Sequence, residues 1–386
     1  MKKRILYVID GIEFGGGERV FAQLLNGLPE DRFEPYLASA PNDAFLKNIK
    51  SKNLVFYPVD FSNRFNPLPL MRLYRIVKSQ RIDIVHSQGA RADFFARIAA
   101  KLAKVPIMIS TVAMPVEGYN VGYLKRFLYQ TFDRFSERFV DYFLVVSSVL
   151  KENMIEVHGI PPDKIIKIYN GIETDYYKPV GNEEMRYKIR REFAVNDSDI
   201  LIASLGRLVW QKGFEYFIHA IPEILREIPD ARFILVGDGP LRPELERLAV
   251  ELGEGDKIIF AGYRSDVRDV LAALDIVVIP SVLEGFPMIT LEAMAMAKPI
   301  VAAKIDGITE QITDGINGIL IPPKDSSAIA QAIIRLINDR ESGKKLGLAA
   351  RKKVEQEFSV EKMVSETEKV YLSLLTNNYT IPYRGL

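Results

Sequence analysis

Short apolar, β-branched runs alternate with amphipathic helical patterns along almost the whole chain. The first series of predicted strands is Arg4–Ile9, Pro35–Ser39, Val55–Pro58, Ile84–His86, Ile107–Thr111 and Tyr142–Val146. Helical patterns fall between them, among them Glu18–Leu28, Leu68–Ser79 and Arg91–Ala103. Residues 160–182 break the rhythm with prolines, glycines and no helix signal. A second series follows: Ile200–Leu205, Arg232–Val236, Ile258–Phe260, Ile276–Ile279, Ile300–Ala302 and Gly318–Ile321. Strand–helix alternation of this kind predicts an α/β fold of parallel sheets with right-handed crossovers. We therefore expect two doubly wound domains, 1–175 and 176–359, with the boundary near Ile172–Asn182. Residues Val360–Leu375 read as a polar amphipathic helix. In open α/β sheets ligands bind outside the carboxyl ends of the strands, so a cleft between two such domains is the expected site.

The bulk numbers remove several function classes. A chain of 386 residues is too long for one ordinary core. Its net charge of +1 offers no electrostatic footprint for nucleic acid. There is no cysteine, hence no disulfide, thiolate metal site or thiol nucleophile, which fits the cytoplasm. Three histidines (His86, His158, His219) are too few for a histidine-rich metal site. The basic start MKKRILYVIDG resembles a secretory leader, but its apolar run stops at Asp10 and reads better as a buried strand. No apolar stretch is long enough to span a bilayer.

Two segments carry candidate chemistry. In PSVLEGFPMITLEAMAMAKP, Glu284 lies in a Gly/Pro-containing loop, Pro287 suits the first helical position, and Glu292 falls about a turn into the helix. The first backbone N–H groups there (Met288, Ile289, Thr290) lack partners in their own helix and, with the helix dipole, favour an anion. In SLGRLVWQKGF, Arg207 and Lys212 flank a loop in which Gly206 and Gly213 allow close backbone approach. Such cations neutralise phosphate oxygens as a leaving group departs.

Together, Gly206, Arg207, Lys212, Glu284, Gly285, Phe286, Pro287 and Glu292 resemble the donor site of retaining GT-B glycosyltransferases of the family called GT4. The resemblance covers nearly the whole chain. It implies an acceptor-binding first domain, a second domain holding a nucleotide-diphosphate sugar of UDP or GDP type, and a C-terminal segment, 360–386, that packs back on the first domain. It also implies that Glu292 meets ribose hydroxyls and Glu284 the transferred sugar, with Arg207, Lys212 and the helix start through Met288 and Ile289 on the diphosphate. Relatives retain anomeric configuration through front-face attack, in which the leaving phosphate takes the acceptor proton. Metal independence is expected, and no cofactor is needed. A retaining glycosidase would instead need two carboxylates flanking the scissile bond, and would leave the phosphate clamp idle.

Further residues enter by the same resemblance. Gly15, Gly16 and Gly17 open the first helix, where the family reaches the donor diphosphate; a plain flexible turn is the alternative. Gly237 and Gly239 follow a strand in a G-x-G whose third glycine is replaced by Arg242, so a dinucleotide cofactor is not expected. Tyr263 and Arg264 lie where the family contacts the base mainly through backbone groups, or else in an ordinary surface loop. On the acceptor side, His86, Ser87 and Gln88 stand where the family often reads H-x-H. Ala113 stands where many relatives carry a histidine that reaches the donor sugar near carbon 6. That departure suggests a donor atypical at carbon 6, unless Gln88 or His86 supplies the polar contact; His86 also reads as a structural histidine. The segment Tyr119–Phe139 mixes aromatics with Lys125, Arg126, Arg134 and Arg138. Its stripe of Leu124, Leu128, Phe132, Phe135 and Phe139 reads as a core-facing helix face, or, with Tyr119, Tyr123 and the cations up to Arg138, as a membrane-surface patch. The functional expectation is a glycosyltransferase acting on a glycan or lipid-linked acceptor. A non-catalytic sugar-nucleotide-binding subunit, or an epimerase or phosphorylase on the same fold, is the alternative.

Overall fold

The computed structural model describes residues 2–12, 14–63, 65–114, 131–179 and 183–376. The chain forms two compact units, Met1–Gly171 with Val360–Leu386, and Ile172–Ser359. In the first unit, β1 (Lys3–Ile9), α1 (Gly16–Gly27), β2 (Phe33–Ser39), α2 (Asp43–Lys47), β3 (Val55–Pro58), α3 (Leu68–Gln80), β4 (Ile84–Gln88), α4 (Ala90–Ala103) and β5 (Ile107–Val112) run in order. Then come β6 (Tyr142–Val145), α5 (Ser148–Glu156) and β7 (Ile165–Lys167). The sheet is parallel, in the order β3-β2-β1-β4-β5-β6-β7.

The second unit contains α6 (Glu183–Glu192), β8 (Ile200–Leu205), α7 (Phe214–Glu227), β9 (Ala231–Val236), α8 (Arg242–Glu251), β10 (Ile258–Gly262) and α9 (Val267–Ala273). It continues through β11 (Ile276–Ile279), α10 (Met288–Ala295), β12 (Ile300–Ala303), α11 (Ile308–Gln311), β13 (Ile319–Ile321), α12 (Ser326–Asn338) and α13 (Arg340–Glu357). Its six strands are parallel in the order β10-β9-β8-β11-β12-β13. In both sheets the order reverses once, between β1 and β4 and between β8 and β11. The loops leaving neighbouring strands at such a point diverge to opposite sides and leave an opening.

The run 160–182 holds an edge strand, Ile165–Lys167, that pairs with β6 and is too short to show a periodicity. Two local expectations need correction. Helix α1 starts at Gly16, two residues before the first good helix former. Pro287 is the N-cap of α10 rather than its first residue, with an extended backbone (φ −70°, ψ 127°).

The last helix, α14 (Val360–Leu375), belongs to the first unit. Tyr371, fully buried, places its hydroxyl 2.5 Å from His86 Nδ1 and 3.3 Å from Tyr7 Oη. Val364 lies so close to Gly27 that a Cβ there would come within 2.8 Å of it. At the unit boundary, Ile172 N–H donates to the Phe358 carbonyl (2.9 Å), and the chain re-enters the first unit immediately after Ser359.

Candidate functional site

In the second unit the loops after β8 and β9 interlock through backbone. Gly206 N–H donates to the Val236 carbonyl (2.9 Å), Leu208 N–H to Asp238 (2.9 Å) and Leu241 N–H to Leu208 (3.1 Å). Gly237 has φ +136°, and a Cβ on it would lie 1.9 Å from the Gly206 carbonyl oxygen. A Cβ on Gly239 would lie 2.5 Å from that of Leu208. These glycines therefore let two loops touch backbone to backbone. The exposed Arg207 side chain is carried between two such pinned residues.

The loop then reaches the one that follows β11. The Gln211 carbonyl accepts from Val282 N–H (2.7 Å) and Leu283 N–H (3.2 Å). Gly213 packs against the Pro280 carbonyl, only 2.2 Å from where a Cβ would stand. Lys212 Nζ donates to Glu284 Oε1 (2.6 Å), which also accepts from Ser281 Oγ (2.7 Å). Glu284 is 6% exposed. The sequence assigns Lys212 to phosphate and Glu284 to sugar; in the structure the two are bonded to each other.

Past Glu284, Gly285 packs under Gly307, and Phe286 packs edge-on to Phe358 (5.3 Å between ring centres). The Pro287 carbonyl accepts from Gln311 Nε2 (3.1 Å). Helix α10 has no side-chain cap, so the N–H groups of Met288 and Ile289 head it. Glu292 is buried, and its Oε1 accepts from Tyr177 Oη (3.0 Å). Tyr177 lies in the segment that sequence patterning leaves unassigned, so this partner is not legible from motif spacing. Tyr263 is 65% exposed after β10. The Arg264 side chain forks onto Asp266 (2.8 and 2.6 Å) and pairs with Glu192 on α6, which leaves its backbone groups for the expected contact. Its side chain is a structural clasp, which the two acids explain and the sequence motif alone does not.

In the first unit the switch point joins Gly17 and Gln88. A Cβ on Gly17 would lie 2.7 Å from Gln88 Nε2. Gln88 is 7% exposed, and its Oε1 has no hydrogen-bond partner among the described residues. Gly15 N–H donates to Glu18 Oε2 (3.1 Å), so a carboxylate already occupies the start of α1 beside Gly16. Burial raises the Glu18 pKa, and the Asp10 charge adds to the shift.

His86 does not reach a surface. It is 1% exposed, with Nε2 2.6 Å from Thr111 Oγ1 and Nδ1 on Tyr371. Burial holds its pKa down to about 3, so the ring is neutral. Of the acceptor-side residues named from sequence, Gln88 and half-buried Ala113 line one cavity of about 110 Å³, and His86 does not.

That cavity has a charged wall that motif reading misses. Arg97 pairs with Asp133 (2.6 Å) and with Asp93 (3.5 Å), and bonds Ser110 Oγ through Nε (2.9 Å). Ser87 Oγ donates to Asp93. Burial pushes the Asp93 pKa up to about 6, against the pull of Arg97. Glu137 bonds His158 Nδ1 (2.8 Å), which raises the histidine pKa. The one sequence signal was the i,i+4 pair Asp93/Arg97 inside an apolar helix.

The expected core-facing stripe over 124–139 also needs correction. In the helical residues 131–137, polar Ser136 and Glu137 are buried, while Phe132 and Phe135 are 37% and 45% exposed. The inward face is polar because it answers Arg97 and His158. Residues Tyr119, Tyr123, Leu124, Lys125, Arg126 and Leu128 lie outside the described residues.

Two family models match. Residues 14–176 match Glycosyltransferase Family 4, and residues 199–339 match Glycosyl transferases group 1. The chain belongs to the group 1, GT4-type glycosyltransferases. Among its curated relatives is an uncharacterized glycosyltransferase of Methanocaldococcus jannaschii, 35% identical over 59% of each chain. Another is the Escherichia coli UDP-Gal:alpha-D-GlcNAc-diphosphoundecaprenol alpha-1,3-galactosyltransferase, 26% identical over 94% of this chain and 95% of that protein. The match to the first spans less than two thirds of that protein's length. Among solved structures, Anabaena HepE in complex with UDP and glucose superposes with a TM-score of 0.84 at 22% identity, covering 96% of this chain and all of that one. The chain has the GT-B fold of two Rossmann-like parallel-sheet domains.

Proposed function

We propose that this protein transfers a sugar from a nucleoside-diphosphate sugar, of UDP or GDP type, to a glycan or lipid-linked acceptor, with retention and without a metal. The observation that carries this reading is the grouping of Arg207, the Lys212–Glu284 pair and the uncapped start of α10 at the switch point of the second sheet. The guanidinium, the ammonium and the free N–H groups of Met288 and Ile289 offer positive charge where a diphosphate leaves. Glu292, steadied by Tyr177, accepts from ribose hydroxyls, and Glu284 from hydroxyls of the sugar. Within the second unit, Gly237, Gly239 and the backbone at Tyr263 would border the nucleotide. As the bond from the anomeric carbon to the leaving phosphate breaks, the acceptor oxygen attacks the same face. Its proton passes to the departing phosphate oxygen. No protein nucleophile is consumed.

The acceptor side falls to the first unit, with Gln88 and Ala113. Two relatives are named for diphospho-undecaprenol acceptors, one from Escherichia coli and one from Campylobacter jejuni. They support a lipid-linked acceptor; action at the cytoplasmic face of a membrane, in polysaccharide or glycolipid synthesis, is part of the proposal. No described helix is long and apolar enough to cross a membrane. Ala113 leaves a small apolar wall that suits a donor lacking an ordinary hydroxyl at carbon 6. Thermal shifts with UDP, GDP, ADP and their sugars, followed by product analysis with and without acceptor and with EDTA, test this. Stabilisation by one nucleotide class and acceptor-dependent, EDTA-insensitive transfer are expected. Sugar conversion without an acceptor, or about tenfold preference for ordinary glucose or mannose donors, would overturn the reaction class or the carbon-6 assignment respectively.

A further inference from the structure

Between Asp60 and Asp83 the chain carries five cations (Arg64, Arg72, Arg75, Lys78, Arg81) and no acidic residue. Most of this stretch is α3 and the loop before it. Helix α3 buries Pro69, Leu73, Ile76 and Val77 against the unit. The opposite arc follows helical spacing from Phe65 and Leu68 to Met71 and Tyr74, which are 83%, 55%, 46% and 39% exposed. Arg72, Arg75 and Lys78 are exposed on the same arc. Single exposed apolar side chains are ordinary on protein surfaces. Four in one helical row, with cations beside them and no acidic residue between Asp60 and Asp83, are not.

Along the axis, Phe65, Leu68 and Met71 come before Arg72, and Tyr74 lies among the cations Arg72, Arg75 and Lys78. A ladder of ring contacts leads from this loop to a second exposed aromatic pair. It runs Phe61–Phe95 (5.9 Å), Phe95–Phe94 (5.4 Å) and Phe94–Phe132 (5.6 Å). Phe135 follows, with the Arg138 guanidinium 4.5 Å from its ring centre.

We infer that the exposed face of α3 docks on an anionic lipid bilayer. The charge pattern selects the occupant. Cations without local acids meet phosphate headgroups, and the apolar row enters the acyl boundary. A soluble polyanion would use the charges but leave the apolar row in water. Phe65 and Leu68 enter first, while Arg72, Arg75 and Lys78 stay at headgroup depth. The inference deepens the proposed function by naming the surface that brings the enzyme to a lipid-borne acceptor.

Co-sedimentation of the full chain with phosphatidylcholine vesicles, with and without phosphatidylglycerol, tests it. The wild type should pellet only with the anionic vesicles. Arg72→Gln/Arg75→Gln should lower the partition coefficient by about tenfold or more. Phe65→Ser/Leu68→Ser should also weaken binding, and the charge-matched control Lys344→Gln/Lys345→Gln should not. Wild-type protein that ignores anionic vesicles, or either α3 double variant binding like wild type, would overturn the inference. So would a loss of binding equal in the Lys344/Lys345 control. Thermal shifts with nucleotides, read on the same variants, should stay at the wild-type value. If the wild type shows no nucleotide shift, the transfer reading fails while the vesicle result stands on its own.

Discussion

Lys212 Nζ sits 2.6 Å from Glu284 Oε1, with a carboxylate only 6% exposed. Removing one partner strands a buried charge, which costs more than the pair contributes. Lys212→Met should lower stability by about 1–3 kcal/mol. Adding Glu284→Gln should recover most of that loss without restoring transfer. Thermal melts and turnover, read side by side on the single and double variants, separate the two effects. A single variant that melts like wild type would show that the pair carries no such load.

Arg207 gives the opposite signature. Its side chain is exposed, so Arg207→Ala should leave the melting temperature near wild type. If it stabilises the leaving diphosphate, kcat should fall on the order of 10²–10³. A drop of less than about fivefold would remove Arg207 from that role.

The loop–loop contact at Gly237 should resist even one methyl group. Gly237→Ala places a Cβ 1.9 Å from the Gly206 oxygen at φ +136°. Overpacking and backbone strain together should cost on the order of 3 kcal/mol. Gly253, also at positive φ but with nothing within 4 Å of its Cβ position, is the control for strain without the clash. Denaturant melts of Gly237→Ala and Gly253→Ala measure the difference.

His86 should impose a pH slope on stability. Its folded pKa, about 3, lies below its ordinary 6.5, so the unfolded chain takes up its proton first as pH falls. Stability from this group is present above pH 6.5 and is lost progressively toward pH 3, by at most about 1.4 kcal/mol per pH unit. Asp93 opposes it. Its folded pKa of about 6 exceeds the ordinary 3.8, so its contribution favours folding below that ordinary value and is lost as pH rises to 6. His86→Gln should flatten the acid slope of the melting temperature, and an unchanged slope would refute the assignment.

Periodicity made the alternation of strands and helices legible, because a buried parallel strand and an amphipathic helix bury different intervals of residues. The same signal could not separate Glu284 the sugar contact from Glu284 the partner of Lys212, since that bond joins residues 72 positions apart. It also misread Phe132 and Phe135. Their helical turn presents Glu137 inward because His158 waits there, which no local pattern records. Arg264 shows a similar gap: a cation at a motif position was already claimed by Glu192 from another helix. Tyr177 was invisible for a related reason, as its role derives from Glu292, a partner distant in sequence.

Tyr371 closes the ring of hydroxyls and imidazole around His86 from the far end of the chain. During synthesis, the ribosome releases the second unit before it releases α14. The first unit therefore waits for α14 with His86 Nδ1 lacking its partner, while Nε2 can already meet Thr111. A product terminated before α14 would therefore lack the hydroxyl that meets His86 Nδ1.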